Sequence, residues 1–216
     1  MKGSTHLAIG GAIGIAAMLY YPFSPTGALT YMSVACLSAL SPDLDGPNLI
    51  NGKLRINRLS KLLRETAIWG GLVAALACGY FYVFQEKAYP EQGIVSVAIF
   101  LLGLIAKEGA IRNALVSLIG AALLYAGVSE SANWLIGLGV YIAIAPWLAH
   151  RGMTHTLWAL AAWGAIGAGL ESDLGTEGVM TVALAGYASH LIADTLTPSG
   201  VKWLYPILKT TFKLRL

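Results

Sequence analysis

Residues 66–84 read TAIWGGLVAALACGYFYVF, a run without a single charged side chain. As a helix it rises about 28 Å at roughly 1.5 Å per residue, close to the ~30 Å hydrocarbon thickness of a bilayer. Seven further apolar runs flank it, at 7–21, 28–40, 94–106, 114–128, 134–148, 156–170 and 179–196. Of the 216 residues, 56% are hydrophobic and 12% charged, against about 25% charged in soluble domains. The expectation is an all-α fold, a polytopic transmembrane helical bundle of about eight spans, with residues 1–216 forming a single integral membrane domain. Several runs fall short of the roughly 20 residues of a full crossing, so some spans tilt, extend into neighbouring polar residues or re-enter.

The charges between the runs alternate. Lys2, the group Lys53, Arg55, Arg58, Lys61 and Arg64, then Lys107 and Arg112, then Arg151, and finally Lys202, Lys209, Lys213 and Arg215 fall on one side if all eight runs cross. The other side carries Glu86, Glu91, Glu130, Glu171, Asp173 and Glu177, with Lys87 as its one basic residue. Cytoplasmic loops retain Lys and Arg, so the pattern predicts a multi-pass protein of the inner (plasma) membrane with both termini in the cytoplasm. The first run has no signal-peptidase-like exit and is expected to be retained. The net charge of +3 serves topology, because the basic residues are spread along loops, and no nucleic-acid partner is expected. KLRINRLSKLLR at 53–64 places leucines against basic positions at helical spacing, which suits either a surface helix on the anionic leaflet or a plain retention loop. Cys36 and Cys78 sit inside separate apolar runs without ligand spacing and read as small buried apolar residues.

The polar residues inside this apolar background are few and clustered. The four histidines occur in Thr5-His6, in His150-Arg151-Gly152-Met153-Thr154-His155, and as His190 four residues before Asp194. Asp43 and Asp45 stand in SPDLDGP at 41–47. On a helix His190 and Asp194 share one face, and ionisable groups in an apolar span are costly enough to imply a partner or an ion. A glycine-bearing turn can fold His150 and His155 toward one centre, with Thr154 orienting a ligand or water. Asp43 and Asp45 point together only if the backbone there is extended or bent, and then suit a bridge between two ions. The topology puts every cluster on the cytoplasmic side. Seven candidate metal ligands result: His6, Asp43, Asp45, His150, His155, His190 and Asp194. Imidazole and carboxylate without thiolate suit one or two divalent metal ions, zinc first and manganese or iron next, with open water positions. Arg151 is suited to clamp a phosphate or carboxylate.

AHRGMTHT at 149–156, SPDLDGP at 41–47, the early Thr5-His6 and GYASHLIADTLTPSGVKWLYP at 186–206 together resemble the YdjM family of predicted membrane-bound metal-dependent hydrolases. The resemblance covers roughly residues 1–65 and 147–210 and implies functional roles for His6, Asp43, Asp45, His150, Arg151, Thr154, His155, His190 and Asp194, with Thr197, Pro198 and Gly200 as the adjoining turn. Residues 66–146 depart from the shorter members and read as an inserted helical bundle; its even number of spans returns the chain to the same side. Within it, Lys107, Glu108 and Arg112 border the pocket or form an inter-helix salt bridge. The spacing of His190 and Asp194 also resembles a ligand pair of zinc-dependent phospholipase C and P1 nuclease enzymes.

The expected function is a membrane-bound metal-dependent hydrolase acting on a phosphoester, with a membrane lipid or lipid-linked phosphate as substrate. Arg151 is expected to stabilise phosphate charge, and whichever of Asp43 and Asp45 is not fully coordinated to move a proton. The alternatives are a metal-ion or proton-coupled transporter using the same His/Asp site and a structural protein stitched by a polar cluster. A transport path needs ionisable groups at several depths, whereas these gather near one interface. Oligomeric state is not legible.

Overall fold

In the computed structural model, residues 1–46 and 55–214 are described. Among them are eight α-helices: α1 (Gly3–Tyr20), α2 (Pro25–Leu40), α3 (Ile56–Gln85), α4 (Pro90–Ile105), α5 (Glu108–Ser129), α6 (Asn133–Ile144), α7 (Leu157–Leu174) and α8 (Val179–Thr195). Short 3-10 turns occupy Ser41–Asp45, Ala145–Trp147 and Met153–His155. The described residues contain no strand, and a lone antiparallel bridge pairs Val201 with Phe212. The fold is all-helical, as the apolar runs predict. By length and composition three helices suffice to cross a membrane, α1, α3 and α5, while α4 and the segment Asn133–Trp147 are shorter and apolar.

The chain forms two compact units, Met1–Ile50 with Val116–Leu216, and Asn51–Leu115. In the second, α3 and α4 make a close hairpin. A Cβ on Gly71 would lie 2.6 Å from the Phe100 backbone nitrogen, and one on Gly103 would lie 2.9 Å from that of Ile68. Of its 30 residues α3 buries only Ile56, Ser60 and Gly71, while Trp69, Val73, Leu76 and Phe84 are exposed. Such a surface needs an apolar solvent. Lys53 and Leu54 of the basic stretch lie outside the described residues; Arg58, Lys61 and Arg64 fall in the first turns of α3.

The first unit carries the polar clusters. Its centre is α2, packed between α1 and α8 through small residues. A Cβ on Gly10 of α1 would meet the Ala35 carbonyl oxygen at 2.9 Å, and one on Gly186 of α8 would meet the same atom at 2.8 Å. Small-residue contact of this kind lets helices approach where lipid gives no hydrophobic drive between them. Ala17, Tyr31, Ala35, Val179 and Val182 fill one part of the core, and Trp163, Ala183, Tyr187 and Leu191 fill another. Local chemistry sets the boundaries. Ser24 caps α2 by accepting from the Gly27 N–H, and Pro25 follows at the first helical position. Thr156 caps α7 by accepting from the Ala159 N–H, and Gly175 ends that helix in the left-handed conformation.

Candidate metal centre

Pro42 ends the regular ladder of α2, because it has no N–H to donate to a carbonyl four residues back, while Ser41 before it stays in the right-handed helical region. The chain then tightens into the 3-10 turn Ser41–Asp45. At three residues per turn, positions two apart point in different directions. The two aspartates therefore face different partners, Asp43 toward His155 and His190 and Asp45 toward the 150–154 loop, while one oxygen of each stays within 4.8 Å of the other.

That loop is built around Asp45, whose side chain is fully buried. It accepts from His150 Nδ1 at 2.7 Å, the Arg151 backbone N–H at 3.1 Å and the Thr154 hydroxyl at 2.7 Å. Arg151 adopts a left-handed backbone with φ 58, unusual for a residue with a Cβ, and its N–H bond to Asp45 holds it there. Gly152 follows because a Cβ would stand 2.6 Å from the Ala149 carbonyl oxygen. The glycine-bearing turn brings the His150 and His155 ring centroids to 5.5 Å.

The hydrogen bonds determine which imidazole nitrogens carry protons. The Thr154 hydroxyl has one proton, which it donates to Asp45, so at 2.9 Å it must accept from His155 Nδ1. The Ala39 carbonyl, 2.7 Å from His190 Nδ1, can only accept. In their neutral forms both rings therefore present a bare Nε2 inward. Both Nε2 atoms are buried without a hydrogen bond, as are both nitrogens of His6.

Carboxylates surround these nitrogens at distances too long for hydrogen bonds. Asp43 Oδ1 lies 3.7 Å from His155 Nε2 and 3.5 Å from His190 Nε2; Asp194 Oδ2 lies 3.9 Å from each. Ligand atoms around tetrahedral zinc, at about 2.1 Å from the ion, stand about 3.4 Å apart. The set is a slightly expanded version of that spacing, and the orphaned nitrogens fit a divalent cation. His6 stacks on His190 with centroids 3.7 Å apart, and its Nε2 lies 3.4 Å from Asp194 Oδ1. The groups that could hold a metal are thus His6 with His190 and Asp194, Asp43 with His155 and His190, and Asp43 with Asp45 and His150.

Positive charge frames the carboxylates. Arg151 Nη2 lies 2.9 Å from Asp194 Oδ2, and Nη1 donates to Thr197 Oγ1 and the Gly200 carbonyl. The amino group of Met1 contacts Asp194 Oδ1. Burial alone would raise the Asp43 carboxyl, yet the His155 and His190 imidazoles hold it far below the ordinary carboxylate range. Asp45 is likewise lowered against burial by His150, His155 and Thr154. The bond to Asp45 raises His150. His155 is raised too, Asp43 and Asp45 outweighing its burial.

All seven sequence-derived candidates lie in this one region, but in three settings. His6, His155, His190 and Asp194 are buried, Asp43 is partly open, and Asp45 sits behind His155 with His150 at the exposed rim. Sequence reasoning did not single out Tyr187, whose hydroxyl donates to the Thr154 carbonyl and is met at 2.8 Å by Tyr141. Tyr141 also reaches the Ser41 carbonyl at 3.3 Å, so the tyrosine pair ties the aspartate turn to the histidine loop. The available signal was spacing: Tyr187 precedes His190 by three residues and shares its helical face. Lys107, Glu108 and Arg112 fall in Asn51–Leu115, the other unit.

A model of the YdjM inner membrane protein family matches residues 1–216, including the segment 66–146. No curated protein matches the chain, and neither does any solved structure.

Proposed function

Because the chain belongs to the YdjM inner membrane protein family, we propose that it is a multi-pass metal-dependent hydrolase of about eight spans that cleaves a phosphoester of a lipid or lipid-linked substrate. The active centre faces the cytoplasm, as do both termini, and residues 66–146 are a helical bundle inserted in the chain between the metal-site motifs, from which Tyr141 reaches the aspartate turn. The observation that carries this reading is the convergence of two tautomer-fixed Nε2 atoms, His155 and His190, on Asp43 and Asp194.

A divalent cation, zinc in preference to manganese or iron, supplies water of lowered pKa and charge stabilisation for phosphoryl oxygens. Asp43, His155, His190 and Asp194 would hold it, and His6 on the other Asp194 oxygen would hold a second. Asp45 is a positioning residue: its oxygens are occupied by three donors, through which it orients His155 by way of Thr154. Arg151 lends its charge to the phosphate from the partly exposed edge of the site. His150 commits Nδ1 to Asp45 on a side chain 54% exposed, which leaves Nε2 to exchange a proton with bound substrate or solvent.

The test is hydrolysis of phospholipid and polyprenyl-phosphate substrates by detergent-purified protein, stripped of metal by chelation and then reloaded. Activity lost on chelation, restored by zinc or manganese and missing from His155→Ala supports the reading. Metal-dependent cation uptake into proteoliposomes, without hydrolysis of either substrate class, would replace it with transport.

A further inference from the structure

An apolar groove of about 560 Å³ runs between α6 and α7. It extends from Asn133 and Trp134 at one end, past Gly137 and Tyr141, to Leu148 at the other, with Ala165 on the facing helix. Small residues at Gly137 and Ala165 make a trough where larger side chains would fill the space. From residue 133 to residue 148 the axial length is about 22 Å if helical rise is maintained, longer than the roughly 15 Å depth of one leaflet's hydrocarbon.

The groove shares Tyr141 with the surroundings of the metal centre, and its Leu148 end is close to His150 in the chain. Leu148 precedes His150 by two residues, and the Tyr141 ring that lines the groove carries the hydroxyl bonded to Tyr187 and the Ser41 carbonyl. Its polar lining, Asn133 and the Trp134 indole, is at the end away from His150. A molecule with hydrocarbon along the trough would direct its polar end toward Leu148, the end that runs on in the chain to His150 and Arg151.

We propose that the groove between α6 and α7 seats one acyl chain of the membrane phospholipid whose phosphate head reaches the metal centre. The identity of the head-group site rests on the hydrolase reading; the seating of the chain does not depend on turnover.

The experiment uses full-length protein in phosphatidylcholine vesicles containing trace phosphatidylglycerol with a diazirine midway along one acyl chain. After illumination, labelled peptides are mapped by mass spectrometry. Ala165→Phe fills the trough from an exposed position on α7, and Ala77→Phe on the exposed face of α3 is the control. We expect label concentrated in 133–148 and 157–174, reduced about fivefold by Ala165→Phe, corresponding to about 1 kcal/mol of lost seating, and unchanged by Ala77→Phe. Label spread evenly over exposed faces of all helices, or indifferent to Ala165→Phe, would overturn the proposal. Metal content of each variant is read in parallel. Absent metal with groove labelling intact defeats the hydrolase reading alone, whereas bound metal with uniform labelling defeats the groove alone.

Discussion

The Thr154 hydroxyl stands 2.9 Å from His155 Nδ1 and donates its proton to Asp45. One methyl-sized change therefore tests the orientation of a proposed ligand without removing that ligand. Thr154→Val keeps the shape and deletes the relay, leaving the Asp45 carboxylate short of a donor and His155 Nδ1 without an acceptor. Metal affinity should fall about 10- to 100-fold, as for other residues that orient metal ligands. Thr154→Ser should restore most of it. Competition titration with a chromophoric chelator measures both.

His150 and His155 should separate by phenotype. His155 is fully buried with an orphaned Nε2, whereas the His150 side chain is 54% exposed and bonded to Asp45. We expect His155→Gln to lose metal, and His150→Gln to retain it while turnover falls about 10²- to 10⁴-fold, the usual range for a lost proton-transfer group. Equal metal loss in both variants would make His150 a ligand.

Acid should compete with metal in a defined window. Asp43 and Asp45 raise His155 above its ordinary value of 6.5 despite burial, so in the metal-free protein protonated His155 contributes stability below about pH 6.5 that is lost as pH rises through the higher folded value. A cation needs the deprotonated nitrogen and gains as that proton leaves. The lowered Asp43 and Asp45 act at the acid end, their stability being lost as pH falls below the ordinary carboxylate value of 3.8. The increase in melting temperature produced by added zinc should therefore grow between about pH 6 and about pH 8. A shift that shrinks over that range would contradict histidine ligation.

Helical class was legible in the sequence because runs such as 66–84 have no charge, and the grouping of histidines and aspartates because all of them stand in polar clusters at the ends of apolar runs, on the side the charge pattern predicts. Whether each helix crosses was not legible to the same degree: α6 has only 12 residues, and length alone does not separate a short crossing from a buried helix. The different partners of Asp43 and Asp45 depend on a 3-10 turn that spacing does not specify. The partner of His190 Nδ1 is a backbone carbonyl, Ala39, and a carbonyl leaves no mark in residue identity. Tyr141 and Tyr187 lie 46 positions apart and meet only through tertiary packing, with Trp163 of α7 against both rings.

The central claim is that His155, His190, Asp43 and Asp194 hold a metal ion, and elemental analysis of detergent-purified protein tests it most directly. Wild type should carry about one or two zinc, manganese or iron ions per chain, and a folded His155→Ala/His190→Ala double variant should carry none. Wild-type protein without bound metal even after reconstitution with these ions, or a double variant that keeps its full complement, would contradict the account.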